Sequence, residues 1–311
     1  RKLIFENYLF SIALVNIMSL SKYTSPKVLL PVAAAVAGIG IVSYLSCAKI
    51  SNENAKAFNG DGNWVDLKLV KSTDITHDTK HLVFELPSKD QVSGLTTASL
   101  LLTKFVTAKG NNVIRPYTPV SDVDQKGTIE FVIKKYETGK MSSHIHNLVP
   151  NDTLSFKGPV VKWKWEPNQF ESISLIGGGS GITPLYQLIN EITKNPVDKT
   201  KVSLFYGSQT EEDVILKPEL DEIARKHKDQ VTIHYFVDKA SDKWDGISGY
   251  ITKDFLQKHL PSPSAKSKIF VCGPPGMYQA ISGHKISPTD QGEVSGALAE
   301  LGYTKENVFK F

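Results

Sequence analysis

The residues best suited to chemistry surround a glycine-rich turn, Gly-Gly-Gly-Ser-Gly at positions 177–181. The apolar run before it predicts a buried parallel strand, and apolar residues at helical spacing follow it. We expect that helix to open at Thr183 and Pro184, with Pro184 in the first position, where no N–H bond is lost. A strand, a turn lacking Cβ atoms and a helix N-terminus together predict an anion site.

The turn alone is ambiguous. The common fingerprint G-x-G-x-x-G fails here, because Ile182 or Pro184 stands at the third glycine position. A phosphate site and a simple tight turn therefore both remain open, and neighbouring motifs must decide between them.

Two further stretches carry suitable groups, Arg-Pro-Tyr-Thr-Pro-Val-Ser at 115–121 and Gly-Lys-Met-Ser-Ser-His-Ile at 139–145. A guanidinium at Arg115 can donate two N–H bonds to a pyrophosphate, and prolines stiffen the chain beside it. Lys140 and Ser142, at a predicted helix start, would neutralise further phosphate charge. Each stretch alone is equally consistent with an ordinary strand or a capped helix, but both together with the glycine turn favour cofactor capture.

Composition narrows the class of protein. The chain has 311 residues, 41% of them hydrophobic, which predicts about two globular domains. A net charge of +4 without a basic run interleaved with aromatics argues against nucleic acid binding. The two cysteines, Cys47 and Cys272, supply neither a disulfide framework nor an iron–sulfur ligand set. His77, His81 and the other histidines show no ligand-like spacing, so no metal is predicted and redox chemistry would need an organic cofactor.

The first part of the chain differs from the rest. Residues 28–45 are uncharged and mostly apolar, which predicts a membrane anchor, with a cleaved signal sequence as the alternative. Residues 1–27 are expected to be a presequence-like leader, or in part untranslated sequence upstream of Met18. Residues 46–63 are polar and predict a linker.

Two soluble domains are predicted after the linker. Short alternating strands separated by turns over residues 64–167 predict a small antiparallel β-barrel. Over residues 168–311 strands alternate with helices, which predicts a doubly wound parallel sheet. In such sheets ligands bind outside the carboxyl ends of the strands, where the glycine turn, Tyr206–Ser208 and Cys272–Gly276 fall.

Four motifs, RPYTPVS, GKMSSHI, GGGSGITP and CGPPGMY, occur in an order and spacing that resembles the ferredoxin–NADP reductase superfamily. Within it the chain is most similar to the NADH-cytochrome b5 reductases, above all the anchored mitochondrial form of fungi. The resemblance implies FAD in a cleft between the domains, hydride transfer from NADH, and single-electron transfer to cytochrome b5 or a similar haem protein. The resemblance also implies which residues bind FAD and which bind NADH.

The residues that the resemblance assigns to FAD come from both domains: Arg115, Pro116, Tyr117, Thr118, Val132, Lys134, Lys140, Met141, Ser142 and Thr183. Those assigned to NADH follow the strands of the second domain: Gly178, Gly179, Ser180, Gly181, Tyr206, Gly207, Ser208, Asp238, Cys272, Gly273, Pro274, Pro275 and Met277. Thr118, near the isoalloxazine, and Cys272, near the nicotinamide, are the expected catalytic residues. The loop at Tyr136 is shorter than in animal members, which leaves the adenine contact open.

Some assignments keep an alternative. Asp238 aligns with the acidic residue that would repel a 2′-phosphate, which predicts NADH over NADPH, but it could simply start a turn. Cys272 could be only a small buried hydrophobe. We expect Phe311 to pack rather than to stack on the flavin.

The expected partner is an acidic haem protein, steered by lysines 134, 135, 162 and 164, although these could equally form a solvated face. We expect a monomer anchored in the mitochondrial outer membrane, with a cleaved intermembrane-space form and the endoplasmic reticulum as alternatives. An NAD(P)H-dependent flavoprotein reductase with another acceptor remains open, as does a membrane-tethered binding protein without catalysis.

Overall fold

The computed structural model describes residues 55–311, which form one compact unit. The predicted leader at 1–27, the anchor at 28–45 and the first half of the linker, residues 46–54, lie outside the described residues. No helix within residues 55–311 combines the length and apolar character that crossing a membrane requires.

The first domain, here called the antiparallel domain, is a six-stranded antiparallel sheet in the order β4-β3-β6-β1-β2-β5. Its strands are β1 Val65–Thr76, β2 Thr79–Glu85, β3 Ser99–Val106, β4 Asn112–Tyr117, β5 Thr128–Lys134 and β6 Thr153–Val161. One short helix, α1 at Lys140–His146, follows β5.

Alternation along the strands builds the core of this domain. In β3, buried and partly exposed residues alternate, as a sheet with one covered face requires. Phe84, Phe131 and Phe156 meet at the centre, with the rings of Phe84 and Phe156 5.0 Å apart and edge-on. The predicted barrel is thus observed as a six-stranded antiparallel sheet with β4 and β5 as its outer strands.

The second domain, here called the parallel domain, is a six-stranded parallel sheet in the order β10-β9-β8-β7-β11-β12. Its strands are β7 Ser172–Gly178, β8 Lys201–Ser208, β9 Val231–Val237, β10 Ile247–Ser248, β11 Ser267–Cys272 and β12 Val308–Lys310. The helices are α2 Ile182–Lys194, α3 Lys217–Lys226, α4 Lys253–His259, α5 Pro275–Ile281 and α6 Gly296–Glu300.

The position of β7 sets the position of the site. This strand lies in the middle of the parallel sheet, and the chain leaves it for β8 on one side and later returns to β11 on the other. The connections diverge at its carboxyl end, which opens a crevice there. The glycine turn follows β7 directly as a 3₁₀ turn at Gly179–Gly181 and continues into α2.

The structure corrects several sequence expectations. Helix α2 begins at Ile182, so Pro184 is its third residue rather than its first. Proline is tolerated there because the first four N–H groups of a helix have no intrahelical partner. The segment Asn112–Tyr117 is a strand that the sequence pattern did not predict. The short elements β10, α6 and β12 were also missed.

The two domains pack directly against each other. Val132 of β5 and Ala98, next to β3, belong to the same apolar cluster as Ile182 and Leu185 of α2. All four are nearly or completely buried. The predicted boundary at 167/168 falls in the connection between β6 and β7.

Candidate functional site

A cleft of about 1230 Å³ lies between the two domains and is lined by both. Its walls come from β4, β5 and α1 on one side, and from the carboxyl ends of β7, β8, β9 and β11 on the other. This is the volume of a nucleotide-sized site or larger.

The structure brings nearly all the sequence-predicted site residues to this cleft. Every residue assigned to FAD lines it, namely Arg115, Pro116, Tyr117, Thr118, Val132, Lys134, Lys140, Met141, Ser142 and Thr183. The NADH set does so with one exception: the cleft is lined by Gly178, Gly179, Ser180, Gly181, Gly207, Ser208, Asp238, Cys272, Gly273, Pro274, Pro275 and Met277. The exception is Tyr206.

Strand β4 presents a cation and a phenol to the cleft. Arg115 is exposed, and one of its guanidinium nitrogens donates to the carbonyl of Ile114 at 2.7 Å. Tyr117 packs its ring against the core of the antiparallel domain. Burial, and then the neighbouring Tyr136, raise the pKa of the Tyr117 hydroxyl to about 12, so it stays a hydrogen-bond donor at physiological pH.

Helix α1 contributes an exposed cation and a turn held by hydrogen bonds. Lys140 is exposed at the helix start, whereas Met141 and Ser142 are buried. The Ser142 hydroxyl accepts from the N–H of Tyr136 and donates to the carbonyl of Gly139, both at 3.1 Å. Since that hydroxyl is engaged in the turn, Ser142 would meet a phosphate through its backbone N–H.

The glycine turn needs its glycines for two reasons. Gly179 has a φ of +51°, in the left-handed region, and nothing lies within 4 Å of a Cβ built there. At Gly181 a Cβ would lie 2.2 Å from the carbonyl oxygen of Cys272. The first glycine therefore permits the turn, and the second permits two cleft loops to touch.

Tyr206 lies beneath the turn rather than in the cleft. Its side chain is fully buried, and its hydroxyl donates to the carbonyl of Gly179 at 2.9 Å. This corrects the expectation that Tyr206 contacts the nucleotide. A residue inside a parallel strand points toward one packed face of the sheet, whereas Gly207 and Ser208 at the strand end reach the crevice.

Ser208 and Asp238 stand together at the ends of β8 and β9. The Ser208 hydroxyl is buried, and within residues 55–311 it has no hydrogen-bond partner. The N–H of Asp238 donates to the carbonyl of Ser208 at 3.0 Å, which places the carboxylate at the cleft wall. Burial raises the pKa of the Asp238 carboxyl, although a bond to Tyr250 partly offsets it. A buried hydroxyl without a partner suits a ligand hydroxyl.

Cys272 ends β11 at the cleft and is only partly buried. The low-polarity surroundings of the thiol raise its pKa to about 12, so it is neutral at physiological pH. A neutral thiol is a poor nucleophile. The placement supports contact with a ligand and gives no basis for covalent chemistry.

Lys134 is not a free cation. Its ammonium lies 2.6 Å from a carboxylate oxygen of Asp78 and 3.3 Å from one of Asp213. The expectation that it steers an acidic partner is therefore wrong, because its charge is already paired. Ring and carboxylate atoms of His77, Asp78 and Asp213 lie within 4.8 Å of one another, a grouping that the spacing of histidines in the sequence does not reveal.

Tyr136 and Phe311 are among the cleft residues that were not assigned to the site from the sequence. Tyr136 presents a half-exposed ring, and its hydroxyl lies 2.7 Å from that of Ser180 across the cleft. Phe311 packs against Phe270, with ring centroids 5.9 Å apart, as expected, but it also lines the cleft. For Tyr136 the sequence did give a hint, since the shortened loop left it as the one aromatic before GKMS.

These features fit an FAD and a nicotinamide nucleotide. The exposed cations Arg115 and Lys140 suit a pyrophosphate, and the rings of Tyr117 and Tyr136 suit flat heterocycles. The Ser208 hydroxyl, which has no hydrogen-bond partner within residues 55–311, can bond a ligand hydroxyl. The fold and the cleft thus define a two-domain oxidoreductase that works with a flavin and a nicotinamide nucleotide.

Comparison with known families and proteins agrees. Residues 66–165 match the family described as Oxidoreductase FAD-binding domain, and residues 175–283 match Oxidoreductase NAD-binding domain. The NADH-cytochrome b5 reductase 2 of Scheffersomyces stipitis is 70% identical over 293 residues, covering 94% of this chain and 98% of that protein. The protein of the same name from Candida albicans is 65% identical over 296 residues, covering 94% and 98%.

A solved structure is also similar. The cytochrome b5 reductase domain of Ulva prolifera nitrate reductase superimposes with a TM-score of 0.72 at 29% identity, covering 83% of this chain and 100% of that one. The chain belongs to the NADH-cytochrome b5 reductase family, a branch of the ferredoxin–NADP reductase superfamily. It binds FAD and a nicotinamide nucleotide as an oxidoreductase.

Proposed function

We propose that this chain oxidises NADH and passes single electrons to cytochrome b5 or a similar haem protein. The observation that carries the proposal is one continuous cleft. In it, the residues of the antiparallel domain assigned to FAD face the residues of the parallel domain assigned to NADH. When bound, FAD supplies the exchange between a two-electron donor and a one-electron acceptor. The protein itself orients the two nucleotides and neutralises the charge of their phosphates.

Residues of the antiparallel domain hold the flavin. Arg115 and Lys140 bind its pyrophosphate, Tyr117 and Tyr136 contact its rings, and Thr118 donates to a ring edge. Val132, Lys134, Met141 and Ser142 complete this wall, and Thr183 reaches it from α2.

Residues of the parallel domain hold NADH. The backbone of the glycine turn and of Gly273–Pro275 approaches the pyrophosphate. The Ser208 hydroxyl can donate to or accept from the ribose hydroxyls, whereas the Asp238 carboxylate accepts from them. The same carboxylate repels a 2′-phosphate, which selects NADH over NADPH. The neutral thiol of Cys272, with Met277 beside it, shapes the nicotinamide pocket.

An acidic haem protein docks at the cleft rim through lysines. Lys135 is exposed, and Lys162, which is partly buried and lines the cleft, donates to the carbonyl of Pro288 at 2.8 Å. Lys164 pairs with Glu166 and contributes less net charge. Association driven this way weakens with salt. Reduction of cytochrome b5 that is indifferent to ionic strength would contradict the docking proposal.

An absorbance spectrum of the purified full chain, taken before and after anaerobic addition of NADH, tests the central proposal. We expect the yellow flavin bands, and their bleaching by NADH. A colourless chain that takes up no added FAD would overturn it. A yellow chain that NADH does not bleach would instead indicate a binding protein without catalysis.

The anchor and its location are part of the proposal. The apolar run at 28–45 supports a single-pass anchor, and the basic lead before it supports the mitochondrial outer membrane over the endoplasmic reticulum. Fractionation of cells with mass spectrometry of the native N-terminus tests this, and separates an anchored from a cleaved form. Light scattering of the detergent-solubilised enzyme tests the proposed monomer.

A further inference from the structure

Lys134 forms an ionic bond that crosses between the two domains beside the cleft. The lysine ends β5 of the antiparallel domain, and Asp213 lies in a 3₁₀ turn of the parallel domain. Asp78, from the turn between β1 and β2, is the second carboxylate on the same ammonium. We call Lys134, Asp78 and Asp213 the latch.

Burial and hydrogen bonds hold the side chains of the latch in place. The Asp213 side chain is 6% exposed and that of Lys134 18%. The second oxygen of Asp213 accepts from the N–H and the hydroxyl of Thr210, at 3.1 and 2.9 Å. Asp78 accepts from the hydroxyls of Thr76 and Thr79, both at 3.0 Å. Each carboxylate is therefore fixed within its own domain before it meets the lysine.

The lysine ammonium occupies the position between these two carboxylates that a metal ion would need. His77 lies farther out, with its ring nitrogens 3.5 Å from Asp78 and 3.9 Å from Asp213. Although burial alone would lower the pKa of Lys134, its bonds to Asp78 and Asp213 raise it overall. The cluster is thus an ion-pair group and not a metal site.

A second set of interdomain bonds lies away from the cleft, and we call it the back seam. Thr97 donates to Glu191 at 2.8 Å, and Gln187 donates to the carbonyl of Pro119 at 3.0 Å. None of these four residues lines the cleft. Lys134 and Asp213, by contrast, both do. The back seam and the latch thus join the domains at two separate places. At the cleft wall the latch is an ionic bond between the domains, alongside the hydroxyl pair Tyr136–Ser180 and the bond from Lys162 to Pro288.

We propose that Asp213 is a positioning residue for NADH, because it fixes the antiparallel domain to the parallel domain at the cleft wall through Lys134. This rests on the proposed NADH site. Without the Asp213 carboxylate the back seam and the Tyr136–Ser180 bond still join the domains, but the cleft widens at the latch. The nucleotide then loses simultaneous contact with both walls, while the flavin wall, which belongs mainly to one domain, is preserved.

Titration of the FAD-loaded full chain with NAD⁺, followed by calorimetry, tests the proposal. Asp213→Asn should raise the Kd for NAD⁺ about tenfold, the usual weight of a charge-assisted hydrogen bond in a partly buried setting. The matched control is Asp78→Asn, which removes a carboxylate from the same ammonium at shorter distance but leaves the interdomain bond; we expect less than about a threefold change. Flavin absorbance should be unchanged in both.

A double-mutant cycle separates positioning from a purely structural role. In a Lys134→Met background, Asp213→Asn should cause little further increase in the Kd for NAD⁺, because the Lys134–Asp213 bond is already absent. Thr210→Ala removes the cap of the Asp213 turn but keeps its carboxylate, and should leave the Kd for NAD⁺ near that of the wild type. Should Asp213→Asn give no folded holoprotein, Lys134→Met replaces it in the comparison with Asp78→Asn.

Three results would overturn the proposal: unchanged NAD⁺ affinity in Asp213→Asn, an equal loss in Asp78→Asn, or the same loss in Thr210→Ala. An equal loss in Asp78→Asn would show that only the charge on Lys134 matters. Failure of the proposed function is distinct, since the FAD-loaded wild type would then not bind NAD⁺ at all.

Discussion

The two walls of the cleft present their binding groups in opposite ways. The antiparallel domain offers side chains, with Arg115, Tyr117 and Lys140 projecting from a strand and a short helix. The parallel domain offers mostly backbone, in the glycine turn and in the Gly273–Gly276 loop, with few side chains such as Asp238. A side-chain wall should be most sensitive to changes of charge, whereas a backbone wall should be most sensitive to an added methyl group where two loops touch, as at Gly181.

The strongest way to break the backbone wall is Gly181→Ala. Its new Cβ would lie 2.2 Å from the backbone oxygen of Cys272, which cannot rotate away. Overpacking against a fixed backbone should lower the free energy of unfolding by about 3 kcal/mol. NAD⁺ affinity should fall about a hundredfold, because both loops move. Chemical denaturation and calorimetric titration measure the two effects.

Gly276→Ala is the matched control for this substitution. It changes a glycine of the neighbouring cleft loop, where nothing lies within 4 Å of a Cβ. Since Gly276 lies in α5, alanine should leave stability unchanged or raise it slightly. Equal destabilisation by both substitutions would argue that the close approach of Gly181 to Cys272 is unimportant.

The Asp238 carboxylate of the backbone wall should control nucleotide choice. Asp238→Thr should narrow the ratio of kcat/KM for NADH over NADPH by about thirtyfold, because like-charge repulsion of the 2′-phosphate is lost. Asp242→Thr, in the exposed loop just beyond, is the matched control and should leave the ratio unchanged. A wild type that uses NADPH as well as NADH would refute the assignment.

The same residue predicts a pH dependence. Burial raises the pKa of the Asp238 carboxyl, so on acidification it becomes neutral at a higher pH than an ordinary aspartate would. Repulsion of the 2′-phosphate is present above that pKa and lost below it. The preference for NADH should therefore decline as the pH falls, and the Asp238→Thr variant should show no such decline.

The side-chain wall is tested by Arg115→Lys, which keeps the charge and removes the two-pronged donor. FAD should bind about tenfold more weakly, because a lysine cannot donate two parallel bonds to a pyrophosphate. The flavin content after dialysis measures this. Arg225→Lys, on an exposed helix face, is the control and should retain full flavin. Undiminished flavin in the Arg115 variant would remove it from the phosphate site.

Cys272→Ala is expected to have the smallest effect. The variant should keep its flavin and lose about fivefold in kcat, because the thiol shapes the pocket and does not react. Cys47→Ala, in the predicted linker, is the matched control. In the wild type, iodoacetamide should modify Cys272 about a thousandfold more slowly than free cysteine at pH 8, given its pKa of about 12. Unchanged kinetics would make Cys272 a packing residue only.

Most of the fold and site could be predicted because four motifs fix the ends of strands. A strand end followed by glycine, as at β7, has few alternatives once a helix pattern follows. Residues 112–117 were missed as a strand because Pro116 and a run of exposed residues interrupt the alternation of a half-buried strand. Its pairing with β3 comes from tertiary contacts.

The errors concern which way a side chain points and what it meets. Tyr206 stands next to Gly207 and Ser208 in sequence, but only the latter two reach the cleft, since the strand end decides exposure. Lys134 was expected to be free because its partners, Asp78 and Asp213, lie 56 and 79 residues away in the chain. No local sequence pattern predicts an ion pair between residues so far apart in the chain.

The phenol beneath the glycine turn has a consequence for how the turn is oriented. In a trans peptide the carbonyl and the following N–H point in opposite directions. Because the hydroxyl of Tyr206 draws the carbonyl of Gly179 downward into the sheet, the N–H of Ser180 is turned the other way. The N–H of Ile182 donates to the same carbonyl within the 3₁₀ turn, so the phenol adds a second hydrogen bond from outside the turn, and Tyr206→Phe would leave the peptide group held by the turn alone.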